Sequence, residues 1–89
     1  MRGGRAPVKK LLAGNISGER IREQRLRLRL SQSTLAARVQ TEGVILEQGM
    51  ISRIESGDRI VTDYELRALA KVLGVPVDYL IENTDRREK

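Results

Sequence analysis

Residues 30–57 read LSQSTLAARVQTEGVILEQGMISRIESG, and two short helices fit this text. Ser31 suits the N-cap of the first, because its hydroxyl can accept a hydrogen bond from an orphan backbone N–H two or three residues on. Leu35, Ala36 and Val39 then share one face. The second helix, at about 48–56, carries Ile51 and Ile54 three apart on its buried side, which leaves Gln48, Gly49, Ser52 and Arg53 pointing elsewhere. Gly57, in a Ser-Gly-Asp turn, can take the positive φ that stops it. Between the two lies a joint at 40–47 that Gly43 breaks. Of its apolar residues Val44, Ile45 and Leu46, at least one must tuck into the core.

Working outward, residues 16–28 favour helix, with Ser17 or Asn15 as cap and Glu19 in the first turn, where a carboxylate suits the positive end of the macrodipole. Ile16, Ile21, Gln24 or Arg25, and Leu28 trace an approximate stripe. The Arg/Leu alternation over 25–30 also has a strand's period, but helical residues precede it and a helix cap follows, so helix is the reading. Downstream, Thr62 and Glu65 form a capping box that opens a helix with Tyr64, Leu66, Leu69, Ala70 and Leu73 on its apolar side and Gly74 at its end. Pro76 fits the first position of a last helix carrying Val77, Leu80 and Ile81 to about residue 82. The expectation is an all-α, compact five-helix domain over 15–82, with a flexible basic arm at 1–14 and a polar tail at 83–89.

Eighty-nine residues allow one domain, and a core this small supplies only about 3–5 kcal/mol, so caps and short loops matter. The chain has no cysteine, which removes disulfides and thiolate metal sites, and no histidine, which removes the side chain that titrates near neutrality. No glycine-rich phosphate loop or metal constellation is present either, so neither enzyme, metal site nor cofactor is expected. No apolar run approaches a membrane span and residues 1–15 hold no secretory h-region, which points to the cytoplasm.

The net charge is +5, but its placement says more than its sum. The arm contributes Arg2, Arg5, Lys9 and Lys10 without an acid, and the interval between arm and tail is balanced. Within that interval Arg20, Arg22, Arg25, Arg27, Arg29 and Arg38 crowd the first two helices, while Asp63, Glu65, Asp78 and Glu82 collect towards the end. The arm reads either as a plain disordered tail or as a segment that lies along phosphates or enters a minor groove.

A short helix pair whose second member shows small and polar side chains on its outer half has the shape of a helix-turn-helix. Four motifs also stand in order: I-R-x-x-R at 21–25, L-S-Q-x-x-L-A at 30–36, I-S-R-I-E-x-G at 51–57 and L-x-x-L-A-x-x-L-G-V at 66–75. On these the chain resembles the lambda-repressor and Cro type of helix-turn-helix domain, the XRE family of bacterial and phage regulators. The resemblance implies five helices, with the second and third as the DNA reader. It implies that Gln32 bonds a phosphate and buttresses Gln48, and that Ser33 and Ser52 reach phosphate or base. Gln48, Gly49 and Arg53 would face base edges. Glutamine can bond adenine in two places and arginine guanine in two, each good pair discriminating by ~1–3 kcal/mol. Arg59, past Gly57, would meet the DNA backbone. Arg25 and Glu55 match positions that form a structural ion pair, and Ala36 lets the reader helices approach.

Three features depart from the pattern. The joint at 40–47 is longer than the usual tight turn. Arg29 stands where the family often has glycine, so either it takes a strained positive φ or the first helix runs on. Acids at Glu42, Glu47 and Asp58 lie near the expected DNA face, with Glu47 expected to turn inward as an N-cap. The leading functional expectation is a sequence-specific regulator, in the repressor direction, binding a near-palindromic duplex as a homodimer. The alternative is a protein-interaction module of the same fold, such as an antitoxin or accessory factor, which those acids motivate. Gln48, Gly49, Ser52 and Arg53 also fit a merely solvated helix face, and Leu26 and Leu28 fit either ordinary packing or a dimer contact.

Overall fold

The computed structural model describes residues 15–81. Among them are five helices and no strand: α1 (Asn15–Arg27), α2 (Gln32–Gln40), α3 (Gln48–Glu55), α4 (Asp63–Leu73) and α5 (Val77–Ile81). The expected arm at 1–14 and tail at 83–89 lie outside the described residues, as does Glu82.

Local chemistry sets the helix ends. The Ser31 hydroxyl accepts the Thr34 N–H at 3.0 Å, capping α2 as its sequence indicates. At α4, Thr62 Oγ1 accepts the Glu65 N–H while Glu65 Oε1 accepts the Thr62 N–H at 3.0 Å, the reciprocal box. Gly74, at φ 75°, closes α4 by letting the Val75 N–H turn back to the Ala70 carbonyl. The same closure ends α1, where Leu30 N–H reaches the Arg25 carbonyl, but the residue at positive φ is Arg29, at 60°. The first helix therefore does not run on. Arg29 carries a left-handed conformation that costs a side-chain-bearing residue ~1–2 kcal/mol.

The core is drawn from every helix: Ile21 of α1, Leu35 and Val39 of α2, Ile51 and Ile54 of α3, Leu69 and Leu73 of α4 and Leu80 of α5 are fully buried, with Leu46 from the joint. α1 lies against α3, α4 and α5, and α2 lies against α3 and α4. Gly18 permits a close approach of α1 to α3, since a Cβ there would overlap the Ile54 carbonyl oxygen. On the other side of α1, the Arg20 guanidinium sits 4.6 Å over the Tyr79 ring and Gln24 Nε2 donates to the Tyr79 hydroxyl.

Several sequence expectations need correction. Asn15 is already helical and Ser17 is buried within α1, so neither is its cap, and Glu19 lies past the first turn. Tyr64 (61% exposed) and Ile81 (52%) point to solvent. Tyr64 is two residues from Leu66, roughly 200° around the helix, so the period that buries Leu66, Leu69 and Leu73 turns it out. Pro76 stands just before α5, where its carbonyl accepts the Tyr79 N–H. Leu26 and Leu28 are both exposed, which removes packing in the core as their role.

Candidate nucleic-acid interface

The joint between α2 and α3 holds the candidate reader in place. Leu46 is its anchor at 1% exposure, Val44 is half-buried, and Ile45 is left 62% exposed. Glu42 leans away to α4, where its carboxylate lies 3.2 Å from Lys71 Nζ. At the start of α3, Glu47 occupies the N-cap position in extended backbone and forms a capping box with Met50, its N–H meeting the Met50 sulfur at 3.4 Å, while the residue stays exposed.

α3 turns Ile51 and Ile54 into the core and Gln48, Gly49 and Arg53 outward, with Ser52 half-buried. A Cβ at Gly49 would meet nothing within 4 Å, so the backbone there is bare to anything that approaches. The Arg53 side chain makes no hydrogen bond or ion pair with other described residues. Gln48 Nε2 donates to Gln32 Oε1 at 2.9 Å, which joins the N-termini of α2 and α3 on one surface. Ser33 is exposed on that surface, its hydroxyl 3.4 Å from that of Ser31. Beside the glutamines an open groove runs between Ala36, Ala37, Ile45 and Gln48.

Behind the glutamines lies the expected ion pair. Arg25 Nε and Nη2 donate to the two carboxylate oxygens of Glu55 at 2.8 and 3.0 Å, with side chains 10% and 4% exposed. Arg25 Nη1 also donates to the Leu30 carbonyl at 2.7 Å, which braces the turn strained at Arg29. The Glu55 hydrogen bond raises the Arg25 guanidinium above its ordinary value against the opposing effect of burial. Gln32 Nε2 donates to Glu55 Oε1 at 3.1 Å, so Gln48, Gln32, Glu55 and Arg25 form one continuous chain of hydrogen bonds. Sequence reading finds the Gln48–Gln32 and Arg25–Glu55 halves but not the Gln32–Glu55 link, whose partners stand 23 residues apart on different helices.

Arg59, expected to meet the DNA backbone, is also paired within the chain. Its guanidinium donates to both oxygens of Glu65 at 3.0 Å each, and to the Ile60 carbonyl at 3.2 Å. The pair lowers the Glu65 carboxyl below its ordinary value, chiefly through the Arg59 hydrogen bond and against desolvation. The residue braces the α3–α4 loop against the start of α4. Asp58, in the same loop, accepts the Ser56 hydroxyl at 3.0 Å. Among the described residues no buried side-chain nitrogen or oxygen lacks a partner, and no cluster of metal-ligating side chains occurs.

Two helices joined by a turn, the second presenting a polar outer face from a small helical body, define a helix-turn-helix domain. A sequence profile described as helix-turn-helix matches residues 21–80. The chain belongs to that family, as its likeness to the lambda-repressor and Cro type implies. It is 38% identical over 69 residues to a protein of Rhodospirillum rubrum called an uncharacterized transcriptional regulator in the ATPase CF(0) region. The alignment covers 78% of this chain and 59% of that protein, so the chain spans less than two thirds of its relative. No solved structure matches it significantly. Among the described residues no helix is long and apolar enough to cross a membrane.

Proposed function

We propose that the chain is the sequence-specific DNA-binding module of a transcriptional regulator, which lays α3 in the major groove. The observation that carries this reading is the outward face of Gln48, Gly49, Ser52 and Arg53, which has no internal partner except Gln32 and is held rigid by the chain of bonds behind it. Gln48 and Arg53 supply base-edge contacts. Gln32, Ser33 and Ser52 supply phosphate contacts, and Arg59 shapes the loop that passes the backbone. A homodimer reading half-sites about one helical turn apart on a near-palindrome is the expected assembly, with repression by occlusion as its effect in the cytoplasm. No catalytic role is assigned to any residue. Of the three acids that favour a protein-interaction role, Glu42 is paired with Lys71, Asp58 accepts the Ser56 hydroxyl and Glu47 opens α3 in a capping box, and all three stay exposed.

The test is selection from randomised duplex DNA, repeated with Gln48→Ala and Arg53→Ala. Each variant is expected to lose preference at one base position, by roughly 5- to 150-fold, with folding intact. Gly49→Ala separates folding from binding. The added methyl has space and should stabilise the helix by up to about 1 kcal/mol, yet it should weaken binding by crowding the DNA. Affinity should also fall steeply with salt as phosphate contacts release counterions. Selection that enriches no motif, together with stoichiometric copurification of another protein, would replace this reading with the interaction module.

A further inference from the structure

The hydrogen bonds behind the reader helix have a direction, and the direction is imposed from the buried end. Glu55 accepts from Arg25 through both oxygens, so its carboxylate can offer Gln32 only an acceptor. Gln32 must therefore present its NH2 end to Glu55, and does so at 3.1 Å. Its carbonyl end is left facing α3, and Gln48 must meet that carbonyl with an N–H, as it does at 2.9 Å. One N–H and one carbonyl oxygen remain on Gln48 for an external partner. Adenine offers one acceptor, N7, and one donor, the N6 amino group, along its major-groove edge; guanine offers two acceptors, O6 and N7. The residual pattern on Gln48 fits the first and leaves an acceptor facing an acceptor in the second.

We propose that Glu55, buried and out of reach of any duplex, is a positioning residue for base choice: through Gln32 it fixes the polarity of the Gln48 amide and so selects adenine over guanine. The inference rests on the major-groove reading of α3 given above. It predicts an inversion that a scaffold role does not. In Glu55→Gln the new amide can accept from Arg25 through its carbonyl and donate to Gln32 through its NH2. Gln32 then turns its carbonyl to residue 55 and its NH2 to Gln48. Gln48 answers with its carbonyl and keeps both N–H groups free, a pattern that tolerates guanine.

The experiment takes the duplex that the wild-type chain selects from randomised DNA and finds the position at which Gln48→Ala becomes indifferent. Matched duplexes with adenine or guanine at that position are then titrated with wild type, Glu55→Gln and Gln32→Met. The adenine-to-guanine affinity ratio is read because a loss of folded protein cancels from it. Glu55→Gln should lower the ratio by roughly tenfold or more. Gln32→Met, which cuts the chain and leaves the ion pair whole, should bring the ratio towards one even if Glu55→Gln does not fold. An unchanged ratio in Gln32→Met, or in a folded Glu55→Gln, overturns the relay while the major-groove reading stands. A wild-type chain with no selected base at any position, or a Gln48→Ala variant that changes none, overturns that reading and the relay with it.

Discussion

Replacing Arg25 by methionine tests how far the fold depends on one buried pair. The substitution keeps most of the aliphatic stem and removes three donors. Glu55, 4% exposed at its side chain, would lose hydrogen bonds of 2.8 and 3.0 Å and keep only that from Gln32, and the Leu30 carbonyl would lose its 2.7 Å donor. Removing one partner from a buried ion pair costs ~3–5 kcal/mol, because the survivor stays desolvated. A core of this size supplies about the same. Arg25→Met is therefore expected to bring the domain close to its unfolding midpoint in water at room temperature. The double variant Arg25→Met with Glu55→Leu removes the stranded charge, and Gln32, half-buried, can return its freed NH2 to solvent. It should recover to within about 1–2 kcal/mol of wild type, since apolar replacement of a whole buried pair is commonly neutral or better. Urea denaturation followed by far-ultraviolet circular dichroism measures all three proteins. A single variant within about 1 kcal/mol of wild type, or a double variant no better than the single, would refute the reasoning.

Gly18→Ala should destabilise the domain by about 1–3 kcal/mol, because the new methyl meets the Ile54 carbonyl and the α1 and α3 backbones must part. Alanine's helix preference works the other way, so an increased urea midpoint would count against that contact. The two left-handed helix ends should respond oppositely: Gly74→Ala should cost about 1 kcal/mol, and Arg29→Gly should gain a few tenths to about 1 kcal/mol by relieving its φ of 60°. Equal signs in thermal melts would contradict this. The Arg59–Glu65 pair should show as a pH dependence. The folded Glu65 carboxyl lies below its unfolded value, so its stabilisation is complete above the ordinary carboxylate range and is lost as pH falls through the folded value. The difference in urea midpoint between wild type and Glu65→Gln should be constant near neutrality and shrink in acid; a difference independent of pH would show that the charge is not its source.

The fold was legible wherever a short local signal had one physical meaning. Ser31 before an apolar stripe, Thr62 with Glu65, and Gly74 after Leu73 each marked a helix end that the structure keeps. Irregular segments offered no such period. In the joint at 41–47 the sequence said that one of three adjacent apolar residues is buried, but not that Leu46 is the one and Ile45 is left out. Contacts between helices were the least legible. Nothing near Gly18 in the sequence says that a carbonyl of α3 lies against it, although a glycine inside a helical pattern is itself a signal of close approach. Arg20 and Gln24 on Tyr79, and Lys71 on Glu42, join residues far apart in the chain with no spacing rule to connect them. Arg59 is the instructive case. An arginine past the reader helix is equally a phosphate ligand and an ion-pair partner by composition, and the position of Glu65, fixed by its capping role, supplies an ion pair that no spacing rule announces.

The departures from the family pattern at the joint are connected to one another. A longer turn between α2 and α3 needs its own anchor, which Leu46 supplies in the core with half-buried Val44 packed beside it. The acid that looked like an obstacle to DNA turns towards Lys71 of α4, in an exposed pair that adds little to the hold. The remaining slack is taken up at Gln48, which is tied to Gln32 at its side chain and so does not depend on a tight turn for its position. A reader helix fixed through side-chain hydrogen bonds to α2, and through Glu55 to α1, can accept a turn of different length without losing its alignment. That is why the lengthened joint leaves Gln48, Gly49 and Arg53 facing outward together, and why loss of the Gln32 link should matter more to this chain than to one whose two reader helices are joined by a short, stiff turn.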